Sequence, residues 1–239
     1  MKNREKMGEY MFEKYNFGGV AFEFQALLTL MAEGNTTGAV LDSGDGVSHV
    51  IPVYEGIVQV DAIRRLNIAG RHVTDYLIKL LMLRGYAFNS SADFELVREI
   101  KEEMCYMSIN IKKERKMAQD TTVVDKEYKL PSGETIIIGR ERFEAPEILM
   151  NPALLEDESD DMATMIYNSI VSCPMDIQKP LAQNIWLSGG TTMIPGVSSR
   201  LENEIKELYV AKKFKGDRSG LNRVKVEVHD PPRRKNAVF

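Results

Sequence analysis

The sequence predicts a mixed α/β fold. Short apolar runs that end in glycine-rich turns are typical of buried strands, and two such runs stand far apart, at residues 38–41 and 185–187. Between them, apolar residues recur every three or four positions, as at residues 73–83 and 162–170, which is typical of helices packed on one side. With 44% hydrophobic and 28% charged residues, a chain of 239 residues can bury a substantial core in one or two domains.

Composition argues against several classes of function. The formal net charge of −4 does not suit a general nucleic-acid binder, and no apolar run approaches the length of a membrane span. The charged N-terminus has no apolar segment after it, so we expect no secretory signal. Cys105 and Cys173 fit neither a disulfide framework nor a zinc site, and we therefore expect a reducing, cytoplasmic location.

The first part of the chain predicts two helices separated by a strand. Residues 3–15 carry apolar side chains at helical spacing and should form an amphipathic helix. Residues 20–24 should form a short strand, and residues 25–32 a buried helix that ends at Gly34. Gln25 then lies at a strand-to-helix junction, where a side chain either reaches a ligand or makes a capping hydrogen bond.

The stretch from Asp42 to Gly46 concentrates polar and flexible residues between two apolar runs. It predicts strand, tight turn and strand, with Gly44 and Gly46 letting a ligand approach the backbone closely. Successive backbone N–H groups in such a turn form a concave anion site, and the Asp42 carboxylate could orient a hydrated divalent ion. An ordinary Asp/Gly hairpin remains the alternative interpretation of this turn.

The middle of the chain predicts a strand, two helices and a hairpin. Residues 64–68 should form a strand, followed by a helix that begins after Gly70. Ser90 and Asp93 match a capping box for the next helix. On that helix three charged residues share one face. These are Arg98, Lys101 and Glu102. This face is either a binding surface or a solvated charged stripe. Residues 128–138 have the pattern of a hairpin.

The last third repeats the strand-and-turn pattern. The acidic run at residues 156–161 is expected to be a solvated loop before the helix at 162–170. The apolar run at 185–187 leads into Gly189 and Gly190, and residues 224–229 alternate in the manner of a half-exposed strand. Two glycine turns after apolar strands suggest a nucleotide held between two loops.

On these residues the chain resembles the actin family from end to end. The segments that carry the resemblance are Asn3–Met7, Asp42–Val47, Pro52–Gly56, Ala69–Arg71, Ile100–Glu102 and Leu187–Met193. Further segments resemble the actin-related members that belong to the actin-nucleating complex more than conventional actin. These are Leu83–Asn89, Arg142–Glu147, Pro231–Lys235 and an insertion near residues 209–223. The resemblance implies an actin-like ATPase fold of the ribonuclease-H-like class.

The resemblance also implies roles for particular residues. Asp42 would hold Mg²⁺ through water, while Gly44, Asp45 and Gly46 would present backbone N–H groups to the phosphates of ATP or ADP. Gln25 and His49 would position the attacking water and relay its proton. The positions implied around the ribose and adenine are Gly70, Arg98, Lys101, Glu102, Gly189, Gly190, Met193 and Lys235. Ile194 stands where the family usually has a tyrosine beside the adenine.

The function implied is that of an ATP-binding structural and regulatory subunit of the complex that nucleates branched actin filaments. Its expected partners are the other subunits of that complex, actin and nucleation-promoting factors, at the actin cytoskeleton. Two alternatives remain open at this point. One is a divergent conventional actin, and the other is a free-standing ATPase or sugar-kinase-like enzyme of the same fold.

The resemblance implies an organisation into three parts and a truncation at both ends. Residues 1–32 would be a remnant of the first large subdomain, residues 33–68 with 158–239 the second, and residues 69–157 a smaller inserted subdomain. The first phosphate loop of the family and its C-terminal helices are expected to be missing. The family is a slow ATPase, and without its first phosphate loop we expect this chain alone to be inactive.

Overall fold

The computed structural model describes residues 2–88 and 90–236. Met1, Asn89 and residues 237–239 lie outside the described residues. Asn89 closes one of the segments of resemblance, and residues 237–239 close the predicted second large subdomain.

Helices and strands alternate along the chain, which confirms the predicted α/β class. The helices are α1 Lys2–Glu13, α2 Gln25–Ala32, α3 Gly70–Leu83, α4 Ser91–Met104, α5 Ile111–Asp120, α6 Glu141–Glu144, α7 Met162–Ser172, α8 Met175–Gln183 and α9 Val197–Leu208. The strands are β1 Gly38–Ser43, β2 Ser48–Tyr54, β3 Ile57–Val58, β4 Arg64–Leu66, β5 Lys126–Lys129, β6 Thr135–Ile138, β7 Ile185–Ser188 and β8 Val228–His229.

The main sheet is mixed and runs in the order β3-β2-β1-β7-β8, with β4 paired to β2. β1 and β2 are antiparallel, and Asp42 lies opposite His49. β1 and β7 are parallel, and Asp42 lies beside Ser188. The carboxyl ends of β1 and β7 therefore meet at one edge of the sheet, and each continues into a glycine turn.

Alternation of side chains gives the sheet two differently covered faces. Leu41, Val50 and Leu187 point into the large core, to which α3, α4, α7 and α9 contribute. Val40 and Val53 point to the opposite face, where Leu27 and Leu30 of α2 cover them. Asp42 shares the α2 face with Val40, because the two residues are two positions apart on one strand.

Two of the predictions for residues 1–32 need correction. Residues 20–24 form no strand, because no neighbouring strand pairs with them, and Phe22 and Phe24 are exposed. The helix at 25–32 is buried on one side only, and Leu28 is 50% exposed. α1 is a helix as predicted, but none of its described side chains is buried, so its apolar stripe packs on nothing in the described chain.

Two strand predictions are too long. Of the strand predicted at residues 224–229, only Val228–His229 forms, because only these two residues pair with β7. The strand predicted at 64–68 ends at Leu66, where pairing with Ser48 ends. The capping box of α4, by contrast, is confirmed. Ser90 Oγ accepts the Asp93 N–H at 3.2 Å, and Asp93 Oδ2 accepts the Ser90 N–H at 2.7 Å.

The insertion at residues 209–223 is folded against the core. Tyr209 is fully buried and packs edge-on against Tyr167 with ring centroids 5.0 Å apart. Phe214 lies directly over Gly220, where a Cβ atom would come within 2.4 Å of the ring. The predicted hairpin is present as β5 and β6, while the predicted division into subdomains stays a prediction.

Candidate functional site: a cleft between two glycine turns

The first turn, residues 44–47, joins β1 to β2 and is attached to the start of α3. Gly44 donates its N–H to the Val47 carbonyl at 3.1 Å, which closes the turn. The N–H groups of Gly70 and Arg71 donate to the carbonyls of Gly44 and Asp45 at 3.1 and 2.7 Å. The first N–H groups of a helix lack partners within the helix, so the turn supplies acceptors that Ala69 as N-cap cannot. The Arg71 guanidinium also pairs with Asp45 at 2.8 Å.

The second turn, residues 189–193, follows β7 and lies against the first. Gly189 has φ +89° and ψ 156°, a conformation that is almost confined to glycine. A Cβ atom at Gly189 would lie 2.3 Å from the Ser43 carbonyl oxygen and 2.8 Å from Asp42 Oδ1. Thr191 Oγ1 donates to the Gly44 carbonyl at 2.6 Å, and this bond joins the two turns directly.

Helix α4 supplies the third side of the site. Lys101 is only 7% exposed, and its Nζ donates to the Gly70 carbonyl at 3.0 Å and to Thr74 Oγ1 at 3.1 Å. Burial lowers the pKa of Lys101, and the nearby carboxylates of Glu102 and Asp45 offset part of that effect. Glu102 in turn lies 3.6 Å from Lys235 Nζ, so a loose ion pair crosses the opening of the site.

The end of α4 is anchored to the second turn. Met107 donates its N–H to the Pro195 carbonyl at 2.7 Å. Gly196 has φ +88°, and a Cβ atom there would meet the Met107 carbonyl oxygen at 2.3 Å. Next to this contact, Arg200 and Glu147 form a buried ion pair at 3.0 Å. The residues of α4 are therefore held at a fixed distance from the residues after β7.

These three sides enclose a cleft of about 430 Å³. Nine of the residues predicted from the sequence line it: Gly44, Asp45, Gly70, Arg98, Lys101, Glu102, Gly190, Met193 and Lys235. Three further residues line it that were not among the predicted site residues: Thr191, Ile194 and Pro195. Thr191 belongs to the second turn and Ile194 and Pro195 follow it directly, so their place in the sequence was the available signal, and the resemblance places Ile194 beside the adenine. Thr74, reached by Lys101, was also missed.

The other predicted site residues lie outside the lining of the cleft. Gly46 is exposed at the tip of the first turn. Gly189 is the first residue of the second turn and lies against the backbone of Ser43. Asp42 and His49 are half-buried neighbours across β1 and β2. Gln25 is exposed at the start of α2, on the same face of the sheet as Asp42. Asp42 and His49 thus lie side by side on β1 and β2, and neither belongs to the cleft lining.

The surroundings of Asp42 disfavour the charged form of its carboxyl group. Burial raises the pKa of its carboxyl group, and the nearby Ser188 hydroxyl and His49 imidazole offset part of this effect. In the described ranges, 2–88 and 90–236, no three or more His, Cys, Asp or Glu side chains are grouped closely enough to hold a metal ion by themselves. A metal at Asp42 would therefore need water or a ligand to complete its coordination, as the sequence-based interpretation supposes.

The position of the cleft is that of a ligand site in an α/β protein. In open α/β sheets, ligands bind outside the carboxyl ends of parallel strands, and the cleft lies at that edge of β1 and β7. The family model described as Actin matches residues 1–239. The chain therefore belongs to the actin family, which confirms the resemblance and the actin-like fold. Members of this family in general bind a nucleotide with a divalent cation.

Three relatives share the same name, Actin-related protein 2. They come from Arabidopsis thaliana, Saccharomyces cerevisiae and Oryza sativa subsp. indica, and each is 51% identical to this chain over 238 or 239 residues. Each match covers 100% of this chain and 61% of the relative. The chain thus spans about three fifths of the length of these relatives. Within the described part of the chain, no helix combines the length and apolarity that crossing a bilayer demands.

Proposed function

We propose that this chain is the ATP-binding part of an actin-related subunit in a complex that nucleates branched actin filaments. The nucleotide would act as a conformational switch, and the protein would work at the cytoplasmic actin cytoskeleton. The observation that carries the proposal is the cleft itself, in which two glycine turns joined by one hydrogen bond face a buried lysine. The shared name of the relatives supports the choice of an actin-related subunit over a conventional actin.

The residues present suit a nucleotide. A Cβ atom at Gly46 or Gly190 would meet nothing within 4 Å, so a ligand has room to approach the backbone there. A volume of about 430 Å³ lies within the range of small-molecule sites, roughly 300–1,000 Å³. The Lys101 ammonium lies beside the first turn, where it would attract an anionic ligand. A polyphosphate with a flat base would satisfy both the polar and the apolar sides of this cleft.

Within this proposal each predicted residue has a task. Gly44, Asp45 and Gly46 would present the first turn to phosphate oxygens, and Asp42 would bind Mg²⁺ through water. Bound Mg²⁺ would neutralise phosphate charge. Gln25 and His49 would orient water on the α2 face. The residues that would border the ribose and base are Gly70, Arg98, Lys101, Glu102, Gly189, Gly190, Met193 and Lys235.

A variant that fills the cleft tests nucleotide binding. Gly190 is exposed and faces open space, so Gly190→Phe should occupy the cleft without disturbing packing. Calorimetric titration of the full-length protein with Mg-ATP should show binding that this variant abolishes. Gly18→Phe is the matched control, because Gly18 also faces open space and lies outside the site. Equal ATP binding by Gly190→Phe and the unchanged protein would contradict the proposal.

We further propose that the insertion at 209–223, together with residues 69–157, contacts other subunits of the complex. Two exposed cations of the insertion are available for this contact, Lys215 and Arg223, whereas Arg218 already pairs with Glu207 at 2.8 Å. The double substitution Lys215→Glu with Arg223→Glu should reduce co-purification of the full-length protein with the complex. Lys2→Glu with Lys6→Glu in α1 is the control of equal charge change, and equal assembly of both variants would refute this contact.

Self-assembly separates the proposal from the alternative of a divergent conventional actin. An actin-related subunit should stay in the supernatant in a sedimentation assay under conditions that polymerise actin. Sedimentation of the full-length protein alone as filaments would favour the alternative.

A further inference from the structure

Thr191 forms the direct hydrogen bond between the two sides of the cleft. Its Oγ1 lies 2.6 Å from the Gly44 carbonyl oxygen, although 147 positions separate the two residues in sequence. The side chain is 7% exposed, so little water competes for this bond. Gly189 also lies against Ser43, so the bond adds a directional polar contact where the two turns pack together.

The Gly44 carbonyl oxygen is shared by two donors. Besides Thr191 Oγ1 it accepts the Gly70 N–H at 3.1 Å. The Gly70 carbonyl oxygen then accepts Lys101 Nζ at 3.0 Å and Thr74 Oγ1 at 3.2 Å. One continuous chain of hydrogen bonds therefore runs from the second turn, through the first turn and the start of α3, to the lysine of α4.

The close packing around Gly70 leaves no room for a side chain at this position. A Cβ atom at Gly70 would lie 2.6 Å from Thr191 Oγ1 and 3.3 Å from the Gly44 carbonyl oxygen. Its φ is not in the positive region, so backbone conformation alone does not call for glycine at this position. The close approach of the Thr191 hydroxyl is the physical reason that a side chain is absent there.

We infer that Thr191 is a positioning residue that sets the place of the first turn and thereby couples the two ends of a bound nucleotide. The inference rests on the proposed function, since it assigns the two turns to the phosphate end and the base end of one ligand. Both partners of this bond belong to the protein itself, so the first turn should be held in place before a nucleotide binds. Loss of the Thr191 hydroxyl should loosen the first turn and weaken binding through lost preorganisation.

Amide hydrogen exchange without nucleotide tests the positioning directly. The reporters are the N–H groups of Gly44, Gly70 and Arg71, which close the first turn or bind its carbonyls. Thr191→Val keeps the side-chain shape and removes the hydroxyl. We expect exchange at these amides to be about two- to tenfold faster, which is the range for one net hydrogen bond. Thr191→Ser keeps the hydroxyl and should exchange like the unchanged protein.

The control variant is Ser169→Ala. Ser169 is buried and its Oγ likewise donates to a distant backbone carbonyl, that of Ala62 at 2.7 Å, but it lies away from the cleft. It should leave exchange at the three reporter amides unchanged. If Thr191→Val does not fold, Thr191→Ser and Thr191→Ala give the same comparison, because these two variants differ only in the hydroxyl. Equal exchange in the hydroxyl-bearing and hydroxyl-free variants would overturn the inference.

Nucleotide titration separates this inference from the proposed function. In the full-length protein, Thr191→Val should raise the Kd for Mg-ATP about two- to tenfold, and Thr191→Ser should not. If the unchanged protein binds no Mg-ATP, the proposed function fails while the exchange experiment still decides whether Thr191 holds the first turn. If exchange responds but the Kd does not, the coupling to the nucleotide is refuted.

Discussion

The two glycine turns look alike in sequence but differ in what their glycines do. In the first turn, Gly46 is exposed and a Cβ atom there would touch nothing. In the second, Gly189 has a positive φ, and a Cβ atom would collide with the backbone of Ser43. The first turn thus keeps Gly46 where a ligand would approach, and the second keeps Gly189 where the chain itself approaches.

The surroundings of the two turns differ in the same sense. Beside the first turn lie the charged groups of Asp42, Asp45 and Arg71. In the second, Thr191 and Thr192 are buried and their hydroxyls bind backbone carbonyls. The second turn therefore serves mainly as the support on which the first turn is positioned. Substitutions beside the first turn should therefore affect ATP hydrolysis, whereas substitution of Gly189 in the second turn should affect stability.

The largest effect is expected for the rate of ATP hydrolysis. In the full-length protein, Gln25→Ala or His49→Ala should slow ATP hydrolysis about 10²–10⁴-fold and leave ATP binding nearly unchanged, because general acid–base and water-positioning groups contribute on that scale. Phosphate release and calorimetric titration measure the two properties separately. Loss of binding without a specific loss of hydrolysis would show that these residues serve the fold or the ligand.

The next largest effect is expected for Gly189→Ala. The backbone conformation and the collision with Ser43 together should lower the free energy of unfolding by about 2–6 kcal/mol, since each type of strain costs about 1–3 kcal/mol. Urea-induced unfolding measures the change. Gly190→Ala is the control and should stay within about 0.5 kcal/mol. Equal effects at both positions would remove the distinction between support and ligand contact.

A smaller effect is expected for Lys101→Met. Met keeps most of the side-chain volume, and the Gly70 carbonyl still accepts Thr74 Oγ1, so the free energy of unfolding at neutral pH should change by only about 1 kcal/mol. The affinity for Mg-ATP should fall about tenfold or more through the lost charged donor. The lowered pKa of Lys101 means that the unfolded chain binds more protons at alkaline pH. The unchanged protein should thus gain stability as the pH rises toward 10.5, a gain that the variant should lack.

The smallest effect on stability is expected for Asp42→Asn, and it should be favourable. Burial raises the pKa of Asp42, so the unfolded chain releases its proton first and the folded protein loses stability as the pH rises from 3.8 through the raised pKa. The variant avoids this loss, so its advantage should be full at neutral pH and absent below 3.8. Unfolding measured across this pH range is the test. A destabilised variant at neutral pH would show that the Asp42 carboxylate stabilises the fold.

Local sequence determined the elements that carry the cleft. Apolar runs followed by glycine predicted β1, β7 and both turns, and the spacing of Ser90 and Asp93 predicted the start of α4. The actin resemblance selected the residues of the cleft, nine of which the structure brings together. The predictions of the strands, the turns and the helix start succeed because tight turns and helix caps depend on residues only a few positions apart.

Only the tertiary structure decided what depends on distant partners. Residues 20–24 have the composition of a strand, but strand formation requires a neighbour to receive the backbone hydrogen bonds, and none lies beside them. The apolar stripe of α1 is a local property, whereas its exposure depends on the rest of the fold. Arg98, Lys101 and Glu102 share one helical face, yet only Lys101 is buried, because α3 and the first turn pack over its ammonium group. The bond from Thr191 to Gly44 spans 147 positions, and no local pattern encodes a contact that arises only when β7 pairs with β1.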